Sequence, residues 1–157
     1  GQIAFTNAAG QFAQYDANGY HLLGFTSSNG AYRLQVNSQI YATSSVVATS
    51  DKRYKTAVRP ICGALGLVQQ LAPVSFDWLP HAVHQFPAGR AVGFLAQDVA
   101  QVLAGTGYEH AVVKTNSTVM PDGTTEQFFG LAEGALVPLL VSAVQELAAR
   151  VRALEGA

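Results

Sequence analysis

Charge is what this sequence lacks most. Only 12% of its 157 residues are Asp, Glu, Lys or Arg, where about a quarter is usual for a soluble domain. A chain so short of charge implies surface hidden elsewhere, most simply between subunits. The net charge is −1 and no basic run stands out, which argues against a nucleic-acid partner. The single cysteine, Cys62, excludes an internal disulfide. With no Cys or His at ligand spacing around it, Cys62 is expected as a small core residue. The histidines, His21, His81, His84 and His110, are scattered with no H-E-x-x-H spacing, so neither a metal nor a cofactor is expected. His81 and His84 fall in the loop "LPHAVHQFPAGR", where exposure is expected. No apolar run approaches the roughly 18–20 residues of a membrane span, and no membrane partner is expected. A basic, apolar signal segment is also missing at the start, and the opening "GQIAFTNAAG" reads as the middle of a longer chain.

What is present divides into two textures. Residues 1–47 read as short strands between turn clusters at 7–10, 16–19 and 27–30. Tyr32, Leu34, Val36 and Ile40 alternate with Arg33, Gln35 and Gln39, the period of a half-buried strand. Asn-Gly pairs at 18–19 and 29–30 supply the positive φ of tight hairpins. Nothing in this part suggests chemistry.

From residue 60 the pattern is mixed. "PICGALGLVQQLAPVSFDWL" predicts a short helix, with Leu65, Val68 and Leu71 on one side, then a strand. Trp78 is expected in the core or at a subunit interface. "GRAVGFLAQDVAQVLAG" predicts a strand running into a helix that stops at Gly105, with Asp98 on its solvated face. Its glycines lack the lysine of a phosphate loop, and Asp98 and Glu109 form no carboxylate couple. "HAVVKTNSTVMPDGTTEQFFGL" predicts a hairpin around Pro121-Asp122-Gly123. The fold class is therefore α+β: short strands, then a small mixed domain closing on a long helix over about 135–155. Pro138 is tolerated there because it lies in the first turn.

That helix carries a heptad, with Val137, Val144 and Val151 at a and Leu140, Leu147 and Leu154 at d. Val141, Ala143 and Ala148 at e and g widen the apolar stripe beyond a two-stranded seam. Arg150 at g and Glu155 at the next e are spaced for an interchain ion pair. The pattern resembles that of parallel three-stranded coiled coils, which predicts a homotrimer. A lone amphipathic helix packed on its own domain is the alternative.

Between the two textures lies "ATSSVVATSDKRYK", where Ser50 precedes Lys55 by five residues. A serine hydroxyl is a weak nucleophile until a base takes its proton. Lysine serves only when neutral, so its reference pKa of about 10.4 must fall through desolvation or a cationic neighbour. Lys52 and Arg53 supply nearby positive charge, and burial of Lys55 would have to come from folding of the second half and its assembly into an oligomer. By itself the spacing describes a solvated linker as readily as a catalytic pair.

Four segments in order add context: "SDKRYK", "ALGLVQQLAPVSFDW", "GRAVGFLAQDVAQVL" and "LVPLLVSAVQELAARVRALE". Together they resemble the C-terminal intramolecular chaperone domain of phage tailspikes and tail fibres, the endosialidase-type self-cleaving domain, related to one in the myelin regulatory factor. The resemblance covers about 49–157. It implies that 1–49 is the end of a β-rich fibre and 50–157 a trimeric chaperone that assists its folding and then cuts itself off. It implies Ser50 as nucleophile and Lys55 as base, with Asp51 in a supporting role; Tyr54 and Thr56-Ala57 depart from the family pattern. It further implies a virion tail fibre or spike assembled in the host cytoplasm, whose parent fibre meets a host-surface receptor.

The scissile bond is open to two readings. Ser50 reaches the preceding carbonyl through a five-membered ring, which favours Thr49–Ser50; a cut at Ser50–Asp51 needs another subunit or nucleophile. Two rival functions remain beside self-cleavage. One is a trimerisation module that stays attached, the other a fibre tip in which 1–47 or the loop 79–90 grips a host glycan.

Overall fold

Asn18 and Gly19 turn the chain between two antiparallel strands, as the sequence predicts. Gly19 takes φ 74°, and the Asp16 carboxylate accepts the N–H groups of Asn18 and Tyr20, both at 2.9 Å. The computed structural model describes residues 3–7 and 10–156. Four strands make the first sheet, β1 (Ile3–Asn7), β2 (Gly10–Tyr15), β3 (His21–Leu23) and β4 (Leu34–Val36), ordered as in the chain. Neighbours are antiparallel except β3 and β4, which run parallel. The second Asn-Gly pair therefore closes no hairpin.

The strand expected around Tyr32–Ile40 is also shorter and inverted. Leu34 is 55% exposed and Ile40 69%, whereas Gln35 is buried at 7%. The reason lies in the connection. Gln35 accepts the Asn29 N–H at 2.6 Å and donates to the carbonyls of Gly30 and Tyr32 at 2.9 and 3.0 Å. A parallel pair joined by so short a link needs this internal stitching to satisfy its loop backbone, so the amide faces in and Leu34 faces out. In register, Gln14, Leu22 and Gln35 lie side by side and all are buried.

Two further strand pairs complete the β structure: β5 (Val74–Asp77) with β6 (Arg90–Gly93), and β7 (Val113–Val119) with β8 (Thr125–Leu131). The second is the predicted hairpin, with Gly123 at φ 85° and the Met120 N–H on the Thr124 carbonyl at 2.8 Å. The helices are α1 (Ala64–Val68), α2 (Ala96–Leu103), α3 (Glu109–Val112) and α4 (Val137–Glu155). Helix α3 is unforeseen. The N–H groups of Ala111 and Val112 turn back to the Tyr108 carbonyl, and the strand begins only at Val113.

By contacts the chain forms two compact units that interleave in sequence. One comprises Gly1–Tyr41, Ser75–Val92 and Thr115–Phe129; the other Ala42–Val74, Gly93–Lys114 and Gly130–Ala157. The second unit has a continuous apolar core of Ala64, Leu65, Val99, Leu103, Val112, Leu136, Leu139 and Ala143. Val99 and Leu103, one turn apart on α2, point into it while Asp98 stays exposed, as expected. Cys62 does not join this core: it is exposed, because the chain turns inward only after Gly63 at φ 72°.

Pro138 sits in the first turn of α4 as predicted. Leu136, Leu139 and Ala143 are the residues this segment turns inward. The predicted stripe widener Ala143 therefore belongs to the chain's own core, being 3% exposed. The a and d positions all face away. Val137, Leu140, Val144, Leu147, Val151 and Leu154 are exposed, Val144 at 64% and Leu154 at 80%.

One expectation about this segment is corrected. Glu133–Glu155 is long and apolar enough, by length and composition, to cross a membrane, with a mean hydropathy of 1.4. The sequence reading missed it by counting only uninterrupted apolar residues. Two of its polar residues, Ser142 and Glu146, are however engaged with protein backbone.

Candidate functional site

The residues around Ser50 are arranged by one short turn. Asp51 is extended, at φ −68° and ψ 131°, and its carboxylate accepts the Arg53 N–H at 2.8 Å. That N-cap starts a 3-10 turn over Lys52–Tyr54. The turn is closed by the Tyr54 N–H on the Asp51 carbonyl (3.2 Å) and the Lys55 N–H on the Lys52 carbonyl (3.1 Å). A single tight turn thereby folds the spacing of five back on itself. The Lys55 Nζ donates to the Ser50 Oγ at 2.7 Å.

Asp51 acquires a role the sequence left unspecified. It caps the turn that returns Lys55 to Ser50, and holds Arg53 through its Nε at 3.0 Å and a guanidinium NH2 at 2.7 Å. The Arg53 side chain, then the Arg53 backbone N–H, hold the Asp51 carboxyl below its ordinary value. Arg53 is consequently not a free cation beside Lys55. Its charge is paired with Asp51, and its guanidinium lies 5.9 Å from the Tyr54 ring centre.

One chain by itself does not bury the pair. Ser50 and Lys55 are exposed, as is the whole stretch from Tyr41 to Ser50. The folded second half of a single chain thus leaves the pair open to water. Beyond it, Ala57 adopts φ 50°, the left-handed region that side chains with a Cβ enter at a cost.

Two residues tie the next segment to α4, and sequence reading missed both. Ser142 donates to the Ile61 carbonyl at 2.9 Å. Glu146 accepts the Ala64 N–H through Oε1 at 3.0 Å and the Leu65 N–H through Oε2 at 3.2 Å. Helix α1 has Gly63 at its N-cap and no local side-chain cap, so an acid from far along the chain satisfies its first donors. Gly63 was the available signal. A helix opening on glycine lacks a cap, and Glu146 is the acid facing inward on α4. The heptad residues, with Arg150 and Glu155, are exposed on that helix.

The histidines are more organised than the sequence implied. His81 Nδ1 accepts the N–H groups of Val83 and His84 at 3.1 and 3.0 Å, so its Nε2 carries the proton toward Glu126 Oε2 at 3.1 Å. His84 is half-buried among Phe25, Phe86 and Phe128. That burial, then the neighbouring His81, lower its pKa below the usual imidazole value. Trp78 stacks on Phe86 with ring centres 4.2 Å apart and is 43% exposed. Among the described residues, no three His, Cys, Asp or Glu side chains gather where a metal ion could be held.

Residues 50–108 match the model of a peptidase family described as chaperone of endosialidase. The match begins at Ser50 and takes in the capped turn, Lys55, α1, β5, β6 and α2. No curated protein matches the chain.

Proposed function

Because residues 50–108 match the model of the family described as chaperone of endosialidase, we propose that 50–157 folds the β-rich segment 1–49 as a trimer and then severs itself from it once. The observation that carries this reading is the 2.7 Å contact between Lys55 Nζ and Ser50 Oγ. As it stands the amine donates to the hydroxyl. Once the amine is neutral the same pair reverses, and Nζ takes the hydroxyl proton.

The freed Oγ attacks the Thr49 carbonyl through a five-membered ring. The C–N bond to Ser50 breaks, the amine receives the proton Lys55 held, and Thr49 is left as an ester on Ser50. Water hydrolyses that ester, giving a Thr49 carboxylate and a new amino terminus at Ser50. The developing oxyanion calls for fixed donors. The only substrate is the chain itself, so the enzyme turns over once.

Exposure of the pair in a single chain supports a dependence on assembly. Removal from water favours a neutral lysine, and with the pair exposed in one chain and Arg53 paired to Asp51, a neighbouring subunit supplies that removal in this reading. The uncovered heptad of α4 supports a parallel three-stranded coil through Val137, Leu140, Val144, Leu147, Val151 and Leu154. Arg150 and Glu155 flank it. Ile3, Tyr15 and Leu34 on the first sheet, in one row with His21 between the last two, are also exposed and favour the same trimer. Joining three copies at α4 brings three upstream segments together in register, which lowers the entropic cost of pairing them. Cutting then leaves the fibre kinetically locked. In this reading the parent is a virion tail fibre or spike, and its receptor contacts lie with the fibre.

A denaturing gel of freshly expressed, trimeric protein tests the proposal. Two bands in wild type, collapsing to one in Ser50→Ala and Lys55→Ala variants that still trimerise, support it. A single band from trimeric wild type means the module stays attached, and the reading fails.

A further inference from the structure

We infer that the loop 83–86 and strand β7 form the surface by which the chaperone part holds its client, and that this surface reads the side chain of Asn37. The inference rests on the division of the chain at Ser50 proposed above. Asn37 directly follows β4 and is buried, 7% exposed. Its amide nitrogen donates to the Gly24 carbonyl at 3.0 Å within the client and to the Val83 carbonyl at 2.7 Å. Its oxygen accepts the Gln85 N–H at 2.8 Å.

A carbonyl and an N–H two residues apart are what a strand offers its neighbour. The Asn37 amide, one donor and one acceptor in a plane, answers them as a peptide group would. Alanine has neither group, and aspartate has no donor.

One ring contact and one close approach cross the same junction. His84, between Val83 and Gln85, sets its ring edge-on to Phe25 with centres 6.0 Å apart. Gly30, at φ 103°, leaves so little room that a Cβ there would stand 3.3 Å from Asn116 Oδ1 of β7. All of these residues belong to one compact unit, made of Gly1–Tyr41 together with Ser75–Val92 and Thr115–Phe129.

These contacts outlast the cut. The segment from Tyr41 to Ser50 is exposed and has no regular structure beyond bends. Breaking the backbone there removes none of the contacts made by Asn37 or Phe25. Cleavage and parting are therefore separate steps, and Asn37 governs the second. Hydrogen bonds to backbone also fix the register of the client strand β4, which apolar contact alone would leave free to slip.

The test uses the whole chain in a Ser50→Ala background, with a site for an added protease placed in the exposed stretch 43–48. The cut is then made independently of self-cleavage, so failure here is distinct from failure of the proposed peptidase reaction. After cutting, the two pieces should co-elute from a sizing column and separate only on a denaturing gel. Asn37→Ala and Gln85→Pro should each make them part at least about tenfold faster, and the double variant should add little to either. Tryptophan emission of the uncut variants checks that Trp78 keeps its environment. If Asn37→Ala disturbs it, Gln85→Pro, which breaks one of the same bonds from the other side, decides. Pieces that part at once in the parent, or that stay together unchanged in the variant that decides, overturn the inference.

Discussion

The carboxylate of Glu146 on α4 holds the first free backbone N–H groups of α1, those of Ala64 at 3.0 Å and Leu65 at 3.2 Å. These donors belong to core residues, 0% and 6% exposed, and water cannot readily replace the acid. Glu146→Ala should lower stability by about 1–3 kcal/mol, the cost of orphaning buried donors. Glu146→Gln, which keeps one acceptor and loses the charge at the helix start, should cost less. Chemical denaturation of both variants checks the order; equal stability of Glu146→Ala and wild type would show that the cap is not used.

The two sides of α4 should respond oppositely to substitution. Leu139 is 3% exposed in the chain's own core, and Leu139→Ala should cost about 2–5 kcal/mol of fold stability. Val144→Asp on the exposed seam should leave the fold of each chain intact and abolish trimers. Light scattering read beside thermal unfolding separates these effects.

This contrast also marks how far the sequence could be read. The strand–helix order of residues 64–103, the hairpin turn at Gly123 and Pro138 in the first turn all obey local rules. Burial of Gln35 in place of Leu34 does not, because it depends on an amide stitching a parallel connection that no periodicity reveals. Nor could the sequence place Cys62 or pair Arg53 with Asp51. The spacing of Ser50 and Lys55 was legible, but the capped turn that closes it was not, and neither was the fact that one folded chain leaves the pair in water.

Acid should loosen the unit around His84. Burial among Phe25, Phe86 and Phe128, then His81, depress its pKa, so the folded state prefers the neutral ring. Glu126, paired with His81, opposes this only in part. The unfolded chain binds the proton more readily, and the contribution of His84 is present above the ordinary imidazole value near 6.5 and lost as pH falls through the lower folded value. Trp78, stacked on Phe86, is the single tryptophan and reports on this unit. Its emission in a denaturant series should show stability falling as the pH drops below the ordinary imidazole value, and His84→Phe should flatten that slope. An unchanged slope in the variant would assign the effect elsewhere.

Asp51 should matter to cleavage through the turn it caps. Asp51→Ala removes the acceptor of the Arg53 N–H and of its guanidinium. Lys55 should then be held less often at Ser50, slowing cleavage with assembly unchanged. Asp51→Asn keeps a cap and should retain most of the rate. Time courses on denaturing gels, normalised to trimer content, check this; equal rates for all three would remove Asp51 from the site.

Intact-mass measurement of purified trimer bears most directly on the central claim that Ser50 and Lys55 cut the chain once subunits assemble. The account predicts two masses, the heavier a fragment beginning at Ser50, and only the whole-chain mass from the Val144→Asp monomer. Uncut chains in wild-type trimers, or equal cutting in the monomer, would contradict it.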